Sequence, residues 1–298
     1  MKRVNQSHWL RWIVGLLIFI IFGLYIGLPV GMAVVATFPS HTTVGTTPDG
    51  FQPVTLTTDD NVTLAGWYAP PANRAVIILL HGAGASRDSM RSYAEMLVNH
   101  GYGVLTVDLR GHGQSGGKTN RLGWEGTLDV GAAIRFLQGQ PEVQFIGGLG
   151  LSLGGEVLLG AASAYPDLKA IVADGATRRS TDELLALPSE RSLVRSFTTR
   201  VMFAAVQFLS GDKPPSPPLL DSMVAAKSTQ FLLIAASTNA VETDFNQVFA
   251  EKVGERAELW VVPDASHTGA FSLYPAEYEQ LVIAFFDEKL LVNPATLR

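Results

Sequence analysis

The longest apolar stretch of the chain runs from Ile13 to Val35, 23 positions without a charged side chain. Coiled as an α-helix it rises about 34 Å, more than the roughly 30 Å hydrocarbon core of a bilayer. Lys2, Arg3 and Arg11 precede it, and the next basic residue is Arg74. This asymmetry predicts a single membrane span, with the N-terminus cytoplasmic and the bulk of the chain extracytoplasmic. Trp9 and Trp12 fall at the near interface, where indole is favoured. Pro29 and Gly31 mark where the helix can kink or end. A cleaved signal peptide is the competing reading, because Val34 and Ala36 are small enough to flank a cleavage site. Its apolar region is usually only about 7–15 residues, so a retained anchor is the expectation.

After the anchor, His41–Gly50 is rich in Thr, Gly and Pro without apolar periodicity. Residues 1–40 are read as cytoplasmic stub and anchor, 41–53 as a linker and 54–298 as one domain. Val54–Thr58 and Thr63–Tyr68 suggest a hairpin around Asp59-Asp60-Asn61. Beyond Pro70 and Pro71 the pattern alternates. The unbroken apolar run Ala75–Leu80 reads as a strand buried on both faces, and Gly103–Val107 as a second buried strand. Phe145–Leu151, Ala170–Ala173, Phe231–Ala235 and Glu258–Val262 also read as strands. Helical spacing recurs between them, in Asp88–Asn99, Gly126–Leu137, Gly154–Ala164 and Phe245–Val253, and a closing helix spans Glu277–Leu290. Strand–helix alternation of this kind predicts an α/β fold with a mostly parallel sheet and helices on both faces. The rhythm breaks between Asp174 and Gln230, where Leu193–Leu209 can form helices and Gly211–Pro218 holds four prolines. This insertion, about 175–228, is expected to form a small helical cap over the carboxyl ends of the strands, where α/β proteins bind ligands.

Composition narrows the chemistry. Charged residues are 16% of the chain, hydrophobic residues 47%, and the net charge is −5, which leaves no basic footprint for nucleic acid. With no cysteine there is no disulfide, thiolate metal site or cysteine nucleophile. No His/Asp/Glu spacing suggests a metal, and no cofactor is expected.

Gly150-Leu151-Ser152-Leu153-Gly154 sits where a buried strand meets a helix. G-x-S-x-G at such a junction is a nucleophile elbow, which needs near-absent side chains around a sharply turned serine. His81-Gly82-Ala83-Gly84 follows the strand Ala75–Leu80. Acyl transfer requires two backbone N–H groups facing the developing oxyanion, here expected from Leu153 and Ala83. His81 itself is read as a structural support for this loop.

A third segment is Asp108-Leu109-Arg110-Gly111-His112-Gly113-Gln114-Ser115. His-Gly-x-Gly, Asp-x-Arg-Gly-His-Gly-x-Ser and Gly-x-Ser-x-Gly, in this order, resemble the α/β-hydrolase superfamily, particularly its serine aminopeptidase-like and lipase-like branch. The resemblance runs from about Val54 to the C-terminus. It implies that Asp108, Arg110 and His112 shape the site without joining the triad. It also implies the chain order serine, acid, histidine. Of six histidines, His8 precedes the span, His41 lies in the linker and His100 sits at a helix end. His267 fits the last place in the order.

The acid is the point of departure. The resemblance puts it after the strand Phe231–Ala235, where the usual aspartate position holds Asn239. An amide can orient imidazole but cannot stabilise imidazolium by charge. Either Glu242 or Asp244 replaces the aspartate, or the triad is impaired. Asp244 stands where a helix beginning near Phe245 would want a cap, although Thr243 could serve. Glu242, one methylene longer than aspartate, is preferred. The expected reaction is hydrolysis of an ester, thioester or amide through an acyl-enzyme on Ser152. The substrate class is a small-molecule or lipid-like acyl compound. A catalytically inactive binding or signalling domain on the membrane surface is the alternative.

Overall fold

Ala75–Leu80 carries no polar side chain, and the fold uses both of its faces. In a computed structural model describing residues 6–118, 122–187 and 193–291, Val76, Ile78 and Leu80 enter one apolar core and Ala75, Ile77 and Leu79 enter a second. Alternate side chains of a strand point to opposite faces, so an all-apolar strand demands cover on both sides.

The described strands are β1 (Gln52–Thr57), β2 (Thr63–Ala69), β3 (Ala75–Leu80), β4 (Gly103–Val107), β5 (Phe145–Leu151), β6 (Leu168–Asp174), β7 (Gln230–Ala236) and β8 (Ala257–Val262). They form one sheet in the order β1-β2-β4-β3-β5-β6-β7-β8. β1, β2 and β4 pair antiparallel, and from β4 through β8 the pairing is parallel. This is the α/β-hydrolase fold expected from the sequence.

The N-terminal segment forms α1 (Gln6–Phe22) and α2 (Leu28–Thr37), joined by a π-turn at Gly23–Gly27. Together they give a continuous helix, His8–Thr37, long and apolar enough to cross a membrane. The sheet helices are α3 (Arg91–Asn99), α4 (Gly126–Gln138) and α5 (Leu153–Ala161). In the insertion lie α6 (Thr181–Ala186), α7 (Leu193–Ser210) and α8 (Leu219–Ala225), and α9 (Ala240–Val253), α10 (Ala270–Leu273) and α11 (Pro275–Phe286) complete the domain.

Two expectations change. Residues 41–53 are not a free linker. His41 Nδ1 bonds Gly113 O at 3.0 Å, Arg91 donates to Thr46 O at 2.8 Å, and β1 begins at Gln52. The segment lies along the domain because its backbone finds partners there. Second, α9 starts at Ala240, not near Phe245, because Asn239 caps it by accepting the Glu242 N–H at 3.3 Å. Neither Asp244 nor Thr243 is the cap.

Candidate active site

At the end of the central strand β5 the chain turns into α5 within one residue. Ser152 occupies that turn at φ 49°, ψ −113°, a left-handed backbone that a residue with a side chain rarely adopts. The glycines around it answer to close approach. A Cβ on Gly150 would stand 2.3 Å from Gly154 C, and one on Gly154 would stand 2.2 Å from Leu80 O. Ser152 N–H donates to Asp174 O at 2.7 Å, tying the turn to the end of β6.

β8 leads into the loop that carries His267, whose Nε2 lies 2.8 Å from Ser152 Oγ. On its other side Nδ1 lies 2.6 Å from Glu242 Oε2. Glu242 is buried in the first turn of α9. Its Oε1 accepts the Ala236 N–H at 2.7 Å, and Oε2 also accepts from Asn239 Nδ2 at 3.2 Å. Three hydrogen bonds and a helix N-terminus thus surround the carboxylate. The bond to Glu242 is the largest influence on His267 and lifts its pKa above the ordinary histidine value, against the opposing effect of burial. The histidine side chain remains 46% exposed, so the insertion leaves this face open.

Among the described residues, neither the Ala83 nor the Leu153 N–H donates to a protein acceptor. Gly82 lies against Ser152, with a Cβ built there 3.7 Å from Ser152 Cβ. His81 is buried between Gly82 O at 2.8 Å from Nδ1 and the Leu109 N–H at 3.1 Å from Nε2. Burial pushes its pKa down to about 3, so it stays neutral and buttresses both loops. Asp108 accepts from the Arg87 and Gln114 backbone N–H groups and pairs with the Arg87 guanidinium. Arg110 holds Asp60 at 2.6 Å, Glu125 at 2.8 Å and Asp129 at 2.7 Å. His112 Nδ1 lies 3.0 Å from Arg110 O. Asp108, Arg110 and His112 therefore fold this loop rather than face Ser152.

Two carboxyls beside the site were not singled out in the sequence. Asp174 ends β6, and burial followed by the neighbouring Glu242 charge pushes its pKa up to about 7. The Tyr278 phenol lies beside it. Glu156, one turn beyond Ser152, accepts from Thr177 N, Thr177 Oγ1 and Arg178 N, each at 3.0 Å. It ties α5, the helix that follows Ser152, to the start of the insertion. A carboxylate at the end of an apolar strand was the available signal for Asp174. Among the described residues no cluster of three or more His, Asp or Glu side chains could hold a metal ion.

A profile of the family described as serine aminopeptidase, S33, matches residues 71–267. The chain belongs to that family. Over 133 residues it is 29% identical to the uncharacterized protein YfhR of Salmonella typhi, a match covering 42% of this chain and 44% of that protein. The match thus spans less than half of that relative's length. Among solved structures, the esterase Pf2001 of Pyrococcus furiosus superposes with a TM-score of 0.69 at 27% identity, over 86% of this chain and 98% of the esterase. The α/β-hydrolase GrgF of Penicillium sp. sh18 superposes with a TM-score of 0.65 at 18% identity, covering 81% and 99% of the two chains. A dienelactone hydrolase of Anabaena variabilis gives 0.57 at 22% identity, covering 81% and 99%. The last two speak to the fold alone. This S33 member has the α/β-hydrolase fold.

Proposed function

We propose that this S33-family chain is a membrane-anchored serine esterase acting through an acyl-enzyme. The observation that carries the reading is the hydrogen-bonded line from Ser152 Oγ through His267 to buried Glu242, at 2.8 Å and 2.6 Å, with the backbone N–H groups of Ala83 and Leu153 lacking acceptors among the described residues. His267 Nε2 accepts the Ser152 proton as Oγ attacks the substrate carbonyl. The N–H groups of Leu153 and Ala83 hold the oxyanion that forms, and the Glu242 charge stabilises the imidazolium. The leaving alcohol takes the proton from His267 as its bond to carbon breaks. Water, deprotonated by the same imidazole, then releases the acid and frees Ser152. Similarity to the Pyrococcus esterase favours an ester over an amide.

The apolar helix His8–Thr37 is read as a single span. The basic residues Lys2, Arg3 and Arg11 favour a cytoplasmic N-terminus with the hydrolase domain on the other side. The reading is tested with a fluorophosphonate probe on the full chain in detergent. Wild type should be labelled and Ser152→Ala should not. Equal labelling of both, or none of either, refutes the nucleophile. The second outcome is the one expected of an inactive binding domain.

A further inference from the structure

The N-terminal helix is longer than a membrane requires. His8–Thr37 has 30 residues with a mean hydropathy of 2.6 in its most apolar window. From His8 to Leu28 it rises about 31 Å, which matches the hydrocarbon core. From Tyr25, whose ring packs on Phe197 of α7, it is docked on the domain. Pro29, Ala33 and Thr37, four residues apart on one face, are buried, and Ala33 packs with Trp124, Phe203 and Val206. The chain just after it is fastened to the loops at the mouth of the site. Ser40 N–H donates to Gly111 O at 2.7 Å, Gly113 N–H donates to Ser40 O at 3.0 Å, and Ser40 Oγ donates to Gly84 O at 3.2 Å.

Between the docked helix and the loop after β3 lies a groove of about 820 Å³. Gly31, Met32 and Val35 line it from the helix, and Ala83, Gly84 and Leu122 line it from the domain. Among the described residues that line it, none is charged. Ser152 is not among the lining residues, but the groove reaches Ala83, whose chain neighbour Gly82 would put a Cβ 3.7 Å from Ser152 Cβ. Its volume falls in the usual range for small-molecule sites, roughly 300–1,000 Å³. Its helix side is open, with Met32 54% and Val35 60% exposed. Phe197 of α7, 40% exposed with its ring 6.4 Å from that of Tyr25, adds apolar surface on the helix that packs against α2. In water such a surface would be costly, but a helix inserted to Leu28 sets it against lipid at the edge of the bilayer.

We propose that this groove takes the acyl chain of a lipid ester directly from the bilayer, with the membrane helix forming one wall of the substrate site. The proposal rests on the esterase reading above and gives it a substrate class. A lipid entering sideways would keep its chain against Met32 and Val35 while its carbonyl reached the Ala83 and Leu153 N–H groups. The helix would then be part of the specificity machinery as well as an anchor.

The test uses the full chain in vesicles of ether-linked phosphocholine, which offer no ester of their own, with p-nitrophenyl esters from acetate to palmitate. Wild-type kcat/KM should rise with chain length, by up to about fourfold per methylene until the groove is filled. Gly31→Phe and Val35→Trp should each lower the palmitate-to-acetate ratio of kcat/KM more than tenfold. A Cβ on Gly31 meets no atom within 4 Å, so the added ring enters open space. Scoring a ratio, at two separate positions, cancels any loss of folded enzyme. Leu17→Trp, on the lipid-facing part of α1, should leave the ratio unchanged. A ratio unmoved by both groove variants overturns the proposal, as does a wild type that cleaves acetate with no gain towards palmitate. In either case the esterase reading stands. A wild type that cleaves neither ester and takes no fluorophosphonate at Ser152 overturns both.

Discussion

Replacing Glu242 by Gln keeps the shape of the most buried member of the site and removes its charge. The carboxylate accepts three hydrogen bonds, from Ala236 N–H at 2.7 Å, His267 Nδ1 at 2.6 Å and Asn239 Nδ2 at 3.2 Å. An amide offers one acceptor oxygen in their place. If that oxygen stays on the Ala236 N–H, the new NH₂ group faces two donors, and imidazole must shift its proton to Nε2. The proton then points at Ser152 Oγ, where a lone pair is needed. If the amide flips, the buried Ala236 N–H loses its acceptor. Loss of a triad acid costs on the order of 10⁴ in kcat, about 5.4 kcal/mol at the transition state. The unsatisfied buried donor costs about 1–3 kcal/mol of stability, or roughly 2–12 °C in Tm for a domain of this size. Turnover of p-nitrophenyl butyrate and calorimetric melting of Glu242→Gln and Asp244→Asn separate the two effects. A folded Glu242→Gln enzyme within tenfold of wild-type kcat would refute the assignment. So would a folded Asp244→Asn enzyme with 10⁴-fold lower kcat.

Three further outcomes follow from charges the structure buries. His267 must be neutral to act as a base, and its pKa is raised chiefly by Glu242. Activity should therefore fall on acidification through a value above that of free histidine, and in Glu242→Gln the residual acid limb should move to lower pH. A pH–rate profile whose acid limb is the same in both enzymes would exclude this origin. Asp174 has its pKa raised from 3.8 to about 7, so folding carries no penalty for it below pH 4, when both states are protonated. The penalty grows as pH rises from about 4 to about 7 and levels off above that, at a few kcal/mol at most. Asp174→Asn should accordingly gain Tm relative to wild type at pH 8 and lose that gain at pH 4, and an equal difference at both would contradict the linkage. Arg110→Ala should destabilise by about 3–5 kcal/mol, because it leaves buried Asp129 without its partner, whereas Arg110→Ala with Asp129→Leu should recover much of the loss in urea titrations.

The middle of the sheet was legible because its strands are buried on both faces. β3, β4 and β5 start and stop where the sequence pattern puts them. At β6 the boundary moved. β6 extends through Lys169 to Asp174, since strand pairing with β5 and β7 continues past the apolar stretch. The docking of residues 29–47 on the domain was not legible. It depends on Ser40 and His41 meeting the carbonyls of Gly84, Gly111 and Gly113, each more than 40 residues away, and no periodicity encodes such contacts. A Thr/Gly/Pro-rich segment has the composition of a tether whether or not its backbone groups find acceptors.

The acid shows most clearly how a local misreading travels. Asn239 stands where the family resemblance puts an aspartate, and as a loop residue it looks like a lost carboxylate. In the structure it is the N-cap of α9, and its side-chain oxygen accepts the Glu242 N–H three residues on. Asn-x-x-Glu at a helix start has the spacing of a capping box, in which the third helical residue turns its carboxylate back toward the cap. Here the returning Glu242 carboxylate passes the cap, meeting Asn239 Nδ2 and then Ala236 N–H, and presents Oε2 to His267. The extra methylene of glutamate therefore has a geometric reason. Moving the acid from the strand–helix loop into the first helical turn sets its Cα back, and a longer side chain recovers the distance. Asn239 and Glu242 thus form one device, so Asn239→Ala should weaken catalysis as well as the helix. A cap alone is worth about 1 kcal/mol of stability. If Asn239→Ala lost that stability but kept wild-type kcat and an unshifted acid limb, the cap would be separable from the orientation of Glu242.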